Sequence, residues 1–262
     1  MDSNKKMDRR QLVTLLGGLA GAGAAAHLFA STEKSAAAAG ASGMQQTPWP
    51  YKPLDPDAVA QRAYESYLKG HCMYGSFEAI VGTVADQLGG PYKDFPYAMF
   101  KYGAGGVNGW ATLCGSLNGS VAAIQLLSPN PNPLIDNLMA WYEVAPLPNF
   151  YPKGAKFPEV RSMAGTPLCH ESIAHWCKKA EKKSYSPERV ERCGTLTASV
   201  ARQAVVLLNE QAAGKTMEVF GLSKQAQGCS GCHEKGGMVE NIRAKMECGE
   251  CHTAEVKSGH GK

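Results

Sequence analysis

The segments Cys229-Ser230-Gly231-Cys232-His233 and Cys248-Gly249-Glu250-Cys251-His252 repeat one pattern, Cys-x-x-Cys-His, with fourteen residues between them. Two thiols three positions apart can each add to a vinyl group of one porphyrin. The histidine that follows is then placed to bind the iron from one face. The doublet reads as covalent attachment of two haem c groups through Cys229, Cys232, Cys248 and Cys251, with His233 and His252 as proximal iron ligands. The same four cysteines also fit the Cys-x2-Cys-x15-Cys-x2-Cys spacing of a zinc site, and two disulfides are a third use of them. Zinc leaves the histidine after both pairs unexplained.

Four further histidines could complete the iron coordination. His71 follows a helix stop, His175 projects from an expected helix, and His260 lies on a Gly-rich tail. These three are the candidate distal ligands. His170 is five residues from His175, so on one helix the two diverge by about 140° and do not serve parallel haems from one face. Ligation by Met238 or Met246 would raise the potential and is the alternative. A lone histidine more often makes an ordinary hydrogen bond.

Nine cysteines occur in 262 residues, and five lie outside the doublet: Cys72, Cys114, Cys169, Cys177 and Cys193. An odd number cannot all enter a disulfide framework. Soft thiolates select iron–sulfur centres or zinc, whereas a buried free cysteine is often only a small hydrophobe. On one continuous helix, Cys169 and Cys177 stand about 12 Å apart along the axis and about 80° apart around it. That is wide for two ligands of one small cluster. Either the helix breaks between them or one of the five is a bystander.

The elements that position these residues are helical. Asp55-Pro56 opens a first helix, which Gly70 ends; a second runs from Ser76 to Leu88. Val59, Ala63 and Leu68 form the apolar side of the first, and Phe77, Ile80, Val81 and Val84 that of the second. Others span about Leu113–Leu127 and Leu134–Glu143, then from Thr166-Pro167 to about Lys182. Ser186-Pro187 starts a long helix ending near Gly214, with Val190, Leu196, Val200, Ala204, Leu207 and Leu208 as its stripe. Residues 215–227 form a last helix and linker. The Gly-rich run 103–109 fails as a dinucleotide motif, because Asn108 stands where the third glycine belongs and no strand precedes it. No strand pattern emerges, so the expected class is mainly α: a helical cysteine-containing domain at 45–224 and a short dihaem c segment at 225–262. That segment has few aliphatic residues and cannot bury two haems alone. The haems must be covered by each other, by the helical domain or by a second subunit, and their closeness would couple them and distort the main absorption band.

Composition sets the address and excludes some partners. A formal charge of +4 is too mild to argue for nucleic acid. Arg9-Arg10-Gln11-Leu12-Val13 followed by an apolar, small-residue run looks like a twin-arginine export signal, which together with a low-complexity stretch occupies 1–40. Once it is removed, no stable membrane insertion is expected and the mature protein is periplasmic. The twin-arginine route carries folded proteins, so a cofactor inserted before export, such as an iron–sulfur cluster, would need it.

Cys72-Met73-Tyr74-Gly75-Ser76-Phe77, Tyr102-Gly103-Ala104-Gly105-Gly106, Leu113-Cys114-Gly115-Ser116-Leu117-Asn118-Gly119, Cys169-His170-Glu171-Ser172 and Cys193 together resemble the C-GCAxxG-C-C family of redox proteins. With a dihaem c tail attached, the whole resembles a helical homodimeric cytochrome. The resemblance implies two bis-histidine haems per chain near the subunit interface, with one subunit able to lend ligands to the other. It also implies an iron–sulfur centre, labile in character, on Cys72, Cys114, Cys169, Cys177 and Cys193. The expected function is electron transfer to a redox partner the sequence does not name. The rival classes are a haem reductase with one open iron and a zinc-stabilised interaction module.

Overall fold

The computed structural model of the chain describes residues 46–243 and 245–252. The expected export signal, its cleavage region and His260 lie outside the described residues. Helix α1 spans Pro56–Leu88, and the Asp55 side chain caps it by accepting from the Asp57 and Ala58 amides. The expected stop at Gly70 is a kink rather than an end. Gly70 and His71 alone leave helical angles, and the helix resumes at Cys72 instead of Ser76. The Tyr74 ring folds back over Gly70, where any side chain would overlap it, and His71 takes a positive φ of 65°.

Two short 3-10 segments, Gly90–Tyr92 and Tyr97–Gly103, lead to helix α2, Gly115–Leu127. Helix α3 is Pro131–Val144, α4 is Cys169–Ala180, and α5 is Pro187–Ala212, capped by the Ser186 hydroxyl. Helix α4 begins three residues after Thr166, later than expected. Helices α1 and α5 pack along each other, α2 lies against both, and α3 covers α2 and α5. Ile80, Val84, Leu117, Ile124, Leu134, Leu138, Leu196 and Leu207 are wholly buried between them. Among the described residues there are no strands; two isolated antiparallel bridges join Leu113 to Leu168 and Leu147 to Ser162. The mainly α class is what the described residues form.

Two apolar residues fall off the expected faces. Leu68 and Val190 are exposed, at 65% and 42%. Val190 turns outward at the start of α5, where its carbonyl accepts from the Tyr67 hydroxyl. The last helix also differs: residues 215–223 are irregular, and helix α6 covers Lys224–His233, taking in the first Cys-x-x-Cys-His motif. Ser223 caps it by accepting from the Ala226 amide. Ala226 is the one buried residue described beyond α5.

Helix α2 approaches the backbones of α1 and of the second 3-10 segment closely. A methyl group at Gly119 would overlap the Met73 carbonyl and the Ser76 hydroxyl, and one at Gly115 would overlap the Gly103 carbonyl. Gly119→Ala should therefore destabilise the protein by about 1–3 kcal/mol through overpacking, read as a lower urea midpoint.

Candidate functional site: a buried sulfur set and a paired Cys-x-x-Cys-His segment

Four of the five separate cysteines are brought into the core from four places. Cys72 restarts α1 after the kink, Cys114 precedes α2, Cys169 opens α4, and Cys193 lies in the second turn of α5; all are buried. The Leu113–Leu168 bridge does much of this. The Cys114 amide donates to the Pro167 carbonyl, and the Cys169 amide donates to Thr112, at 2.9 and 2.7 Å. Those two bonds fix the starts of α2 and α4 side by side. Cys177 is only half-buried and lies two turns further along the unbroken α4.

The sulfurs do not form a tight mononuclear nest. Among the described residues, the one group of three donor atoms all within 4.8 Å of one another is Glu171, His175 and Glu250. A tetrahedral four-thiolate zinc site would hold its sulfurs about 3.8 Å apart, from Zn–S bonds of about 2.3 Å. The sulfur set is wider than that, while sharing one electrostatic environment. The Cys72 thiol, pushed well up, donates to Cys193. Cys193 is held down at about 5, by that hydrogen bond first and by the Arg192 and Arg189 charges. Burial pushes Cys169 up to about 12, with Cys114 and Cys193 as the next causes. Burial and soft donor chemistry both fit an iron–sulfur ligand set.

The first haem motif lies on α6, where residues three and four apart share a face. Cys229, Cys232 and His233 therefore project together. The second motif makes one helix-like turn, with the Cys251 and His252 amides donating to the Cys248 carbonyl. Both motifs open onto one cavity of about 360 Å³, lined by Cys229, His233, Cys248, Cys251 and His252, with Ile242 and Met246 as its apolar wall. The His233 Nδ1 lies 2.8 Å from Asn241 Oδ1. An Nδ1–H bonded to that oxygen fixes the ring tautomer and orientation, the usual way a ligating histidine is held. The arrangement fits haem c attachment.

The remaining histidines are dispersed. His71 is exposed at the kink, edge-on to the Tyr67 ring at 5.9 Å. His170 is largely exposed, 3.7 Å from the adjacent Glu171 carboxylate. His175 Nδ1 faces the Met163 carbonyl at 3.3 Å, and its Nε2 lies 3.6 Å from Glu171 and 3.4 Å from Glu250. His175 thus meets the second haem motif through the residue between its cysteines. Met238 is exposed, and Met246 lines the shared cavity.

Two residues with a part in these sites were not among the sequence candidates. Asn241 sits in irregular chain, where spacing says nothing about partners. Arg192 is buried inside α5. Its signal was spacing: Arg192, Leu196, Val200, Ala204 and Leu208 recur every four residues, so an arginine stands on the core stripe.

A buried sulfur set in a helical bundle, followed by paired haem motifs, defines a redox cytochrome. Residues 74–207 match the family described as "Putative redox-active protein (C_GCAxxG_C_C)". That span holds Cys114, Cys169, Cys177 and Cys193, with Cys72 just before it. The chain belongs to the split-Soret cytochrome c family: it is 36% identical to "Split-Soret cytochrome c" of Desulfovibrio desulfuricans (strain ATCC 27774 / DSM 6949 / MB), over 94% of each chain. A solved structure titled "A novel iron centre in the split-Soret cytochrome c from Desulfovibrio desulfuricans ATCC 27774" superposes with a TM-score of 0.74 at 34% identity, covering 81% of this chain and 93% of that one. No helix among the described residues is long and apolar enough to cross a membrane.

Two predictions follow from local environments. Burial pushes the Glu143 carboxyl up to about 7, opposed by the Glu247 amide that donates to it, while the Glu247 charge adds to the rise. The folded protein then holds that proton more tightly than the unfolded chain, so stability present at low pH is lost as pH rises from about 4.5 through about 7. Urea midpoints at pH 5 and 8 should show that loss, and Glu143→Gln should reduce it. Asn241→Leu removes the Nδ1 acceptor of His233; for a haem ligated by His233 the imidazole would be a poorer donor to ferric iron, and its potential should rise.

Proposed function

We propose that the protein is a periplasmic electron carrier with two covalently attached haem c groups per chain and an iron–sulfur centre, acting as a homodimer with its haems near the interface. The observation that carries this reading is the single cavity onto which both Cys-x-x-Cys-His motifs open. Cys229 and Cys232 would hold one haem and Cys248 and Cys251 the other, with His233 and His252 as proximal ligands. The haems, when bound, supply one-electron redox chemistry. Asn241 orients the His233 ring, while Ile242 and Met246 supply apolar contact.

Cys72, Cys114, Cys169 and Cys193 are the proposed cluster ligands. Their common burial supports this, and the unbroken α4 leaves Cys177 the bystander of the five. The distal iron ligands are proposed from His71, His175 and His260, with a partner subunit able to supply some of them. The segment beyond α5 has so little buried surface that a second subunit is a natural cover for the haems. Delivery by the twin-arginine route agrees with a cluster inserted before export.

The test is the visible spectrum of the periplasmic protein, oxidised and reduced, with haem and iron counted per chain. Two haems, low-spin bands, a divided Soret band and iron above two per chain are expected, with no carbon monoxide uptake at native pH. A high-spin haem that takes up carbon monoxide would turn the reading to a reductase. A colourless, zinc-containing protein would overturn it.

A further inference from the structure

Arg192 is 5% exposed, and among the described residues its Nε and Nη1 have no hydrogen-bond partner. Its Nη2 donates to Ser172 Oγ at 3.0 Å. The same oxygen accepts from the Tyr142 hydroxyl at 2.9 Å, and that hydroxyl is also within hydrogen-bonding reach of the Cys114 sulfur. None of the ion pairs found among the described residues includes Arg192. A guanidinium taken out of water is strongly unfavourable unless an anion compensates it. No carboxylate of the described residues lies within ion-pairing distance of it, and the sulfurs on which its charge acts are those of Cys193 and Cys169.

Other roles fit less well. Arg192 also lines a cavity of about 160 Å³, but Glu159, Glu188 and Glu191 line it too, so an anion from solution would be repelled there. Arg189 approaches Cys193 as well, with Nη1 at 4.0 Å from the sulfur. Its Nε is already bonded to the Ser184 carbonyl, and its guanidinium lies over the Tyr185 ring. The unsatisfied buried charge is that of Arg192.

We propose that Arg192 is the internal counter-charge of the iron–sulfur centre, making that centre easier to reduce. The proposal rests on the reading of the cysteine set as cluster ligands. Reduction adds one electron to a centre already negative through its thiolates, and a fixed positive charge in a low-dielectric surrounding stabilises the more negative state. Ser172 fixes the guanidinium, and through Tyr142 the same network reaches Cys114. Arg192 is in this sense a positioning and tuning residue, not a ligand.

The experiment uses the full holoprotein and two variants, Arg192→Met and Arg192→Lys. Non-haem iron is counted per chain, and the cluster potential is measured by redox titration followed by electron paramagnetic resonance. The haem potentials serve as the internal reference. The expected result is a lower cluster potential in Arg192→Met, nearly unmoved haem potentials, and most of the shift restored in Arg192→Lys. If Arg192→Met loses its non-haem iron, retention of iron and of a near-native potential in Arg192→Lys still assigns the role to charge. An unchanged potential in iron-loaded Arg192→Met, or loss of iron in both variants, would overturn the proposal. A wild-type protein with haem iron alone would instead overturn the cluster reading on which it rests.

Discussion

The backbone contact between α1 and α2 is the constraint on which the rest depends. Gly115 and Gly119 let α2 lie directly on residues 73–76 of α1, and Gly103 gives way to the Met73 side chain. That contact places Cys114 near Cys72, just past the kink. The bridge from Leu113 to Leu168 then brings in Cys169, and the long pairing of α1 with α5 brings in Cys193. Four sulfurs far apart in sequence thus depend on two helices approaching without side chains between them.

Burial of this set has an electrostatic consequence. Thiols in an apolar core resist ionisation, as the raised Cys169 shows, unless positive charge or hydrogen bonds offset the loss of water. Cys193 receives both, from Arg192, Arg189 and Cys72. The core is therefore built unevenly, with one sulfur ready to be a thiolate and its neighbours held back.

Much of the fold was legible because proline, glycine and capping residues mark helix ends independently of tertiary contacts. Asp55-Pro56 and Ser186-Pro187 open α1 and α5 as read. Gly70 was a correct disruption but an incorrect end, because a local break says nothing of whether packing will restart the helix on the far side. The last helix was placed too early in the chain for a different reason: α6 buries only Ala226, so it has no apolar periodicity to fix its bounds. The Cys-x-x-Cys-His repeats stood out in the sequence because their pattern is local. Convergence of the sulfurs did not, since it arises from contacts between elements; spacing along α4 could only mark Cys169 and Cys177 as an unsuitable pair. Arg192 was passed over because an arginine on a helix is ordinarily a surface residue.

The segment beyond α5 is joined to the bundle by polar contacts more than by apolar burial: the Glu247 amide on Glu143, Lys245 on Asp136, and Glu250 beside His175. The buried residues of the hydrophobic core run from Leu54 to Leu208, and of the segment only Met217 and Phe220 are packed against them. In evolutionary terms this makes the tail an appendage that can be gained or lost without redesigning the domain that carries it. The family match ends at residue 207, just short of that boundary. A bundle with its own redox chemistry could thus acquire haems by simple extension of the chain, and with them a new surface through which electrons leave.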